Sequence, residues 1–538
     1  MKRINIGKVI DYLIIGSLFA MTILFILLPF IFVFKESFFV DGRLSLENFT
    51  YLLTKRRILI KNTLVLGVVS TILSSAASLI VSIYLYLSPK RRRSILLAIL
   101  FITLISPPFV TSLSYINLFG RRGFITYGLL GLSLNVYGMW GIAVMQTISH
   151  LSLNVLLIYG FLKTLSPDII NSARNLGAKT DNIIVDIIFP KAKAGLKAVI
   201  LLSFFRAIAD FGTPAIIGGK FNVLALESYF AVIAEGNLAK ASAMNILILI
   251  PSILIFIFYQ NNLSAMAETS GFDRVELEIK RNGIIYYIFS VISLLLISAL
   301  TVLYVIIIFS AFTRMKDGSL TFTLQNLIDT KPYITGAMIR SIVYSLISAV
   351  GGSIIGLLIG YYLQIRKLKA MKAVDFIANL PYIIPGTFFG LGYLLFFKNP
   401  PIAITGTAAV VVLNVVFKQL PFSARVGSSQ MESIDRETLD SVKSLGGNNM
   451  NALYDVVLPL SKEGLKVSFI NGFTTTMTTI GSIIFLVYPG RKVLTLVMFD
   501  VIQSGKYNIG SVIALIIILI CLSINALGYM FFGGKNVS

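Results

Sequence analysis

The chain has 538 residues, of which 56% are hydrophobic and 13% charged, and its formal net charge is +22. A soluble protein would carry about a quarter charged residues, so the composition excludes that class. Basic residues concentrate in the cytoplasmic loops of membrane proteins, so the positive charge indicates a membrane protein rather than one that binds nucleic acid. Long apolar runs without short alternating segments predict an all-α polytopic membrane protein and exclude a membrane barrel.

Apolar runs of at least the roughly 18 residues needed to cross a bilayer recur along the chain. Counting them predicts about 12 membrane-spanning helices. The N-terminal run is too long for the apolar region of a signal peptide, so it is predicted to be a retained first span. The first six spans are expected at residues 12–34, 60–88, 94–119, 132–163, 197–219 and 239–260. The last six are expected at residues 283–312, 339–364, 374–397, 402–421, 466–488 and 507–532.

The basic loops predict the orientation of these spans. Residues 90–93 and 366–372 fall on the same side as the N-terminus and the segment 263–282. The positive-inside rule makes this side cytoplasmic, so both termini are expected in the cytoplasm. Two basic clusters, at residues 55–57 and 121–122, are exceptions that fall on the outer side.

The sequence repeats at an offset of 269 residues, which aligns Gly177 with Gly446 and Pro190 with Pro459. Each copy holds six spans, and because six is even both copies enter the membrane in the same orientation. They are therefore expected to form two parallel six-helix repeats related by an axis along the membrane normal. The predicted boundaries are 1–262 for the first repeat, 263–282 for a linker and 283–538 for the second repeat.

Each copy carries a polar insertion between its fourth and fifth spans. The insertions read SPDIINSARNLGAKTDNIIVDIIFP from Ser166 and DRETLDSVKSLGGNNMNALYDVVLP from Asp435. Both first residues suit the N-cap of a helix, and the glycine that follows suits a C-terminal turn with positive φ. A second helix is expected to be capped by Thr180 or Asn449 and to end before the proline, because residues before proline avoid α geometry.

The first helix of each insertion has an apolar residue at every third position. These stripes are Ile170, Ala173 and Leu176 in one copy and Leu439, Val442 and Leu445 in the other. A helix of about ten residues is marginal alone in water, so the stripe is expected to pack against something. One interpretation is a helix lying on the lipid surface, and the other is a docking element for a cytoplasmic partner. Duplication at matched positions favours docking, because a two-fold partner needs one ridge on each half.

The insertions resemble the EAA loops of binding-protein-dependent ATP-binding-cassette (ABC) importers, in which E-A-A-x-x-x-G precedes an aliphatic residue and a proline. The two copies read N-S-A-R-N-L-G and D-S-V-K-S-L-G, so both lack the leading glutamate. The resemblance implies a type I ABC importer permease fold and docking of two copies of a cytoplasmic ATPase, which would bind ATP-Mg. The coupling residues that it implies are Asn171, Ser172, Ala173, Leu176, Gly177, Ala178, Pro190, Asp440, Ser441, Val442, Leu445, Gly446, Gly447 and Pro459.

The length and the fused repeats are most similar to ferric-iron importer permeases, to which residues 206–229 and 478–500 also bear a likeness. This resemblance implies a bacterial inner-membrane location and an extracytoplasmic solute-binding protein that delivers the solute. Related permeases for thiamine, polyamines, sulfate or phosphonates share much of the pattern and remain alternatives. A secondary transporter with parallel repeats and a non-transporting scaffold are more distant alternatives.

No G-x-x-x-x-G-K-[ST] phosphate loop occurs in the sequence, so ATP hydrolysis is expected on another polypeptide. One histidine and one cysteine leave little for nucleophilic or metal chemistry, so no catalytic residue, metal site or bound cofactor is expected in this chain. The histidine, His150, is expected to be packed rather than to be a ligand.

Three residues are candidates for the translocation path. Asp210 lies in or at the end of span five, four residues after Arg206, where it could be functional or could neutralise the arginine. Pro108 and Pro385 are expected to break spans three and nine, and broken helices often line such paths. Glu227 and Asp500 are expected in loops before the final span of each half, where they could meet a binding protein or simply be solvated.

Overall fold

The computed structural model describes residues 6–40, 42–121, 123–132, 135–263, 282–316, 319–488 and 490–532. The linker predicted at 263–282 therefore lies almost entirely outside the described residues. The first-half helices are Ile6–Thr22, Ile23–Leu27, Leu28–Phe38, Glu47–Thr54, Arg57–Leu87, Lys90–Ile105, Phe109–Phe119, Phe124–Leu129, Met139–Leu162, Pro167–Asn175, Thr180–Ile183, Ile184–Ile188, Phe189–Ala209, Gly212–Ile217, Leu224–Ile233 and Leu238–Leu263. The second-half helices are Ile284–Phe312, Gln325–Ile334, Ala337–Gly360, Tyr361–Ile365, Met371–Asn379, Leu380–Tyr382, Gly386–Phe397, Ala408–Glu432, Arg436–Ser444, Asn449–Asn451, Ala452–Val457, Leu458–Leu460, Lys462–Thr478, Leu494–Gln503 and Tyr507–Phe532.

Helices lie at all twelve positions where spans are predicted. Among the described residues, seven helices are long and apolar enough to cross a membrane. At two further positions, helix pairs pass the same test only when each pair is taken together: Lys90–Ile105 with Phe109–Leu129 and Met371–Tyr382 with Gly386–Phe397, which bend by 102° and 116°. The remaining three positions, those of spans five, six and eleven, hold shorter or more polar helices: Phe189–Ala209, Leu238–Leu263 and Lys462–Thr478. The prediction of a helical polytopic fold is confirmed.

The repeat is visible in the helix bounds. Met139–Leu162 and Ala408–Glu432 begin 269 residues apart, as do Pro167–Asn175 and Arg436–Ser444. Each half also follows its first span with an antiparallel β-hairpin, formed by Phe39–Val40 with Arg43–Leu44 and by Thr313–Lys316 with Ser319–Phe322. The two halves are therefore copies of one helical plan.

Several span boundaries differ from the prediction; span eleven, for example, ends at Thr478 rather than residue 488. Span four begins at Met139 rather than residue 132, and span five ends at Ala209 rather than residue 219. Span five stops because the backbone of Asp210 is extended and its side chain accepts hydrogen bonds from the next short helix. Span ten continues to Glu432 with Pro421 inside the helix, which membrane helices tolerate when neighbouring helices support them.

Spans eight (Ala337–Ile365) and ten (Ala408–Glu432) cross at a close contact between glycines. A Cβ on Gly356 would lie 2.4 Å from the backbone carbon of Ser423, and one on Gly427 would lie 2.3 Å from the Gly356 carbonyl oxygen. Small residues at such crossings let membrane helices approach closely, since lipid gives no hydrophobic drive for helix association. The glycines therefore set the distance between these two spans.

A Gly356→Ala variant is expected to lose about 2 kcal/mol of stability, because one methyl group forces the helices apart. Thermal unfolding in detergent measures the loss. Gly351→Ala is the matched control on the same helix, since its Cβ would meet only Val416 Cγ2 at 3.8 Å. Equal unfolding temperatures for the two variants would contradict the role of the crossing.

The first span of each half packs against the opposite half. In span one (Ile6–Phe38), the Phe25 carbonyl accepts a hydrogen bond of 2.8 Å from the Tyr393 hydroxyl. The ring centroids of Phe25 and Phe417 lie 4.8 Å apart. In span seven (Ile284–Phe312), the Leu303 carbonyl accepts a bond of 2.7 Å from Ser114. The halves are thus interlocked, and their core is shared.

Candidate functional site

The first polar insertion, residues 166–190, folds as a helical hairpin and is called the first hairpin below. The Ser166 hydroxyl accepts the Asp168 amide at 3.3 Å and Pro167 is the first helical residue, so the predicted N-cap is confirmed. Gly177 has φ +89°. The Gly177 amide donates to the Arg174 carbonyl at 2.8 Å.

The turn at this glycine is a complete Schellman motif. The second of its two hydrogen bonds runs from the Ala178 amide to the Ala173 carbonyl at 3.0 Å. Such a motif needs positive φ at the glycine, which an L-residue adopts only with strain. The predicted C-terminal turn is therefore confirmed.

The second hairpin, residues 435–459, has the same geometry. Asp435 accepts the Glu437 amide at 3.1 Å, and Gly446 has φ +81°. The Gly447 amide donates to the Val442 carbonyl at 2.9 Å, which matches the bond between Ala178 and Ala173 in the first hairpin. Local sequence has built one backbone shape twice.

The caps of the second helix in each hairpin differ from the prediction. Thr180 is the first helical residue rather than the N-cap, and its hydroxyl donates to Asn282 at 3.1 Å. In the second hairpin the cap is Asn448 rather than Asn449. Its side chain accepts the amides of Met450 and Asn451, at 2.8 and 3.1 Å, and the Asn451 side chain accepts the Asn448 amide in return. The asparagine run allowed either register, and the reciprocal bonds select this one.

The prediction that these helices end before Pro190 and Pro459 is wrong. In each hairpin a π-helical turn, Ile184–Ile188 or Ala452–Val457, leads directly into the helix that holds the proline in its first turn. A proline donates no backbone hydrogen bond and is tolerated there, and the wider π turn shifts the hydrogen-bond register just before it. The first hairpin is therefore continuous with span five.

The apolar stripes are only partly buried. Ile170 is 0% and Leu439 8% exposed, and Ala173 and Val442 pack beside them. Leu176 and Leu445 are each 89% exposed, so within this chain the stripe is covered only at its first two positions. Each leucine is the last residue before the positive-φ glycine, where the chain leaves the helix and turns away from the core. Ser172 and Ser441 are also exposed.

Each hairpin contacts the first span of the opposite half. In the first hairpin, Asp181 accepts the Ile284 amide at 2.9 Å, at the start of span seven. In the second, the carbonyl of Asn449 accepts the Tyr361 hydroxyl at 2.9 Å, and helix Asn449–Asn451 lies against span one.

An ion pair joins the N-terminal end of span one to this region. Asp11 accepts hydrogen bonds from Arg366, at 2.9 and 3.2 Å, and from the Tyr362 hydroxyl at 2.8 Å. Burial acts to lower the pKa of Arg366, but the hydrogen bond and charge of Asp11 outweigh it, so the pKa is raised. The N-terminal end of span one, the loop after span eight and the second hairpin therefore lie together, while the first hairpin lies at the start of span seven.

The basic cluster at residues 55–57 is an exception to the predicted grouping of the basic loops, and its middle residue forms an ion pair with a glutamate. Arg56 lies 3.7 Å from Glu227, which is 8% exposed, and hydrogen bonds to the Tyr51 hydroxyl. Glu227 is thus buried rather than solvated. Asp500, the acidic residue predicted at the corresponding place in the second half, forms an ion pair with Lys492.

The candidates for the path occupy the broken or interrupted helices. Pro108 and Pro385 stand at the two bends of 102° and 116°, so the predicted breaks are confirmed. Asp210 forms no ion pair with Arg206; it accepts the amides of Gly212 and Thr213, at 2.9 and 3.1 Å. The alternative in which Asp210 pairs directly with Arg206 is therefore wrong, although the charge of Asp210 still acts on that of Arg206.

Sequence reasoning missed one charged residue in this region. Lys418 donates to the carbonyls of Pro381 and Ile384, at 2.8 and 2.5 Å, where the break of span nine frees them from helical bonds. Its signal was a lysine within the apolar run 402–421.

Within the described ranges, no group of three or more His, Cys, Asp or Glu side chains could hold a metal ion.

Comparison with known proteins gives this architecture a family. Residues 74–267 match the model of the binding-protein-dependent transport system inner membrane component. The chain is 28% identical to the ferric transport system permease protein FbpB of Actinobacillus pleuropneumoniae, over 96% of this chain and 77% of the relative. It is 30% identical to the putative ferric transport system permease protein FbpB 1 of Haemophilus influenzae, over 90% and 79%.

Shorter relatives align with part of the chain. The sulfate transport system permease protein CysT of Salmonella typhimurium is 25% identical over 39% of this chain and 80% of its own length. Two repeated six-helix halves, two matched hairpins and relatives that align along nearly the whole length point to one conclusion. The chain belongs to the family of inner-membrane permease components of binding-protein-dependent ABC transport systems.

Proposed function

We propose that the chain is the fused permease subunit of an ABC importer that carries ferric iron across the inner membrane. A solute-binding protein delivers the iron on the outer side. Two copies of a cytoplasmic ATPase dock at the two hairpins and hydrolyse ATP, so this chain holds no ATPase site of its own. Both termini lie in the cytoplasm.

The matched hairpins are the observation that carries this proposal. Each offers the same capped helix, the same positive-φ glycine and the same leucine at 89% exposure. Two equivalent ridges suit a two-fold partner. The first hairpin continues through its π turn into span five. A displacement of the hairpin by a bound ATPase would therefore reach the membrane without crossing a flexible loop.

Relatives named for ferric transport support iron as the solute, because they align with both halves of the chain. The sulfate and 2-aminoethylphosphonate permeases align with less than half of it. Those two solutes, together with thiamine and polyamines, are the alternatives within the family. A secondary transporter would leave the matched hairpins without a role.

Proteoliposomes test the proposal. With the ATPase inside and the iron-loaded binding protein outside, radioactive iron is expected to enter only when ATP is present. Uptake driven by an ion gradient without the ATPase would contradict the proposal. Iron, sulfate and phosphonate offered in parallel, each on a binding protein that retains it, identify the solute.

The exposed leucines are expected to be part of the ATPase contact. Changing both Leu176 and Leu445 to glutamate is expected to weaken ATPase binding roughly tenfold or more, since burying a leucine side chain contributes about 1.5–3 kcal/mol. Affinity of the purified permease for the ATPase measures the effect. Leu44→Glu is the matched control, because Leu44 is 78% exposed but lies in the β-hairpin that follows span one. Equal ATPase affinity in wild type and double variant would remove the leucines from the interface.

A further inference from the structure

Spans four (Met139–Leu162) and five (Phe189–Ala209) run antiparallel and face each other through polar pairs. At one end, Gln146 donates to the Asp210 carboxylate at 3.1 Å. At the other, Asn154 donates to the Ser203 hydroxyl at 2.8 Å. His150 and Arg206 occupy the level between these two pairs, which we call the middle rung.

The middle rung is open in the sense that no hydrogen bond joins His150 to Arg206, whereas one bond joins the two helices at the level on either side. His150 is 7% exposed, and its Nδ1 atom is buried without a hydrogen-bond partner in the described part of the chain. One guanidinium nitrogen of Arg206, Nη1, is likewise buried and unpartnered there. The two side chains are close enough for the charge of Arg206 to act on the imidazole. Both side chains at this level thus keep a buried polar atom without a partner in the described part of the chain.

The second half shows that the fold does not require this opening. At the offset of 269 residues, His150 corresponds to Gln419 and Arg206 to Thr475. Gln419 and the Thr475 hydroxyl lie 2.6 Å apart and form a hydrogen bond, and Gln419 also bonds to the Thr476 hydroxyl at 3.1 Å. The same rung of the same two helices is therefore neutral and closed in one copy, and charged and open in the other.

The free atoms of the open rung define the chemistry of its occupant. A guanidinium group only donates hydrogen bonds and stays charged, so its partner must be an acceptor. Asp210 forms no hydrogen bond with Arg206 in the structure; its carboxylate accepts instead the amides of Gly212 and Thr213 and the side chain of Gln146. A cation would be repelled by Arg206. A bound water would leave the Arg206 charge inside the membrane opposed only by that of Asp210, with which it forms no hydrogen bond.

We propose that His150 and Arg206 form a binding site for an oxyanion of the phosphate, sulfate or carboxylate class within the first half of the chain. Five residues after Arg206 along the chain, the ring centroid of Phe211 lies 6.2 Å from that of Phe499, so this part of the first half borders the second half. This site goes beyond the proposed function and does not depend on which solute crosses.

Binding of inorganic phosphate to the purified full-length chain in maltoside detergent, which carries no phosphate, tests the proposal. Equilibrium dialysis with radioactive phosphate is expected to show saturable binding, one phosphate per chain, that sulfate displaces. The double variant His150→Gln with Arg206→Thr copies the closed rung of the second half. It is expected to stay folded and to bind phosphate at least tenfold more weakly.

The control is Arg425→Gln, which removes an exposed arginine of span ten and is expected to leave binding unchanged. Adding phosphatidylglycerol separates the two sources of the anion: competition with phosphate identifies a lipid headgroup at the site, and its absence identifies a free anion. Failure of the wild type to bind phosphate or sulfate would overturn the proposal. Equal binding by a folded double variant would overturn it too. Neither measurement involves the ATPase or iron, so the proposed transport function is tested separately.

Discussion

Replacing Gly177 and Gly446 together by valine is expected to abolish ATP-driven uptake while leaving the membrane domain folded. Both glycines have positive φ, +89° and +81°, and a Cβ at either would meet nothing within 4 Å. The substitution therefore acts through backbone strain, about 1–2 kcal/mol at each site, rather than through a clash. Because a helix of about ten residues is marginal alone, each turn is expected to open rather than to hold the strain. Uptake into proteoliposomes is expected to be lost, and affinity for the ATPase is expected to fall by roughly tenfold or more.

Two controls separate strain from bulk. Gly160→Val places the same side chain in open space on a helix with ordinary φ, and it is expected to leave uptake unchanged. Asparagine at Gly177 and Gly446 should restore part of the activity, because asparagine adopts the left-handed conformation more readily than other L-residues. Full uptake and ATPase binding by the double valine variant would show that the turns do not couple ATP hydrolysis to transport.

Replacing Asp11 by alanine is expected to destabilise the protein by about 3–5 kcal/mol, because it strands a partly buried arginine. The Asp11 side chain is 10% and that of Arg366 22% exposed, and Tyr362 loses its acceptor as well. The pair joins span one to span eight, whose Tyr361 holds the second hairpin through the carbonyl of Asn449. We therefore expect a lower unfolding temperature and weaker ATPase binding in the same variant.

The exposed pair of Arg314 and Asp329 is the matched control. Their side chains are 55% and 35% exposed, and pairs of this kind contribute about 0–1 kcal/mol. Asp329→Ala is expected to leave the unfolding temperature within a few degrees of wild type, as judged from that small energy. If both variants unfold at the same temperature, the ion pair at Asp11 has no special part in joining the spans.

The sequence determined the fold class, the two repeats and the backbone shape of the hairpins. Each of these depends on local chemistry or on a count. Apolar runs of sufficient length must be helical in lipid, because the bilayer offers no other partners to backbone amides and carbonyls. Serine, proline and glycine at fixed spacing specify a cap, a first turn and a positive-φ ending within a few residues. The breaks at Pro108 and Pro385 followed from the same local reasoning.

Only the tertiary structure decided which residues meet. The stripe pattern placed Leu176 with Ile170, yet their exposures are 89% and 0%, because the chain leaves the helix at the turn. Spacing placed Asp210 beside Arg206, yet the carboxylate turns to the next helix and to Gln146. The bond that joins Asp11 to Arg366 spans 355 residues of sequence, and no local pattern encodes it. Such contacts depend on how helices from different parts of the chain pack, and that is a property of the folded chain alone.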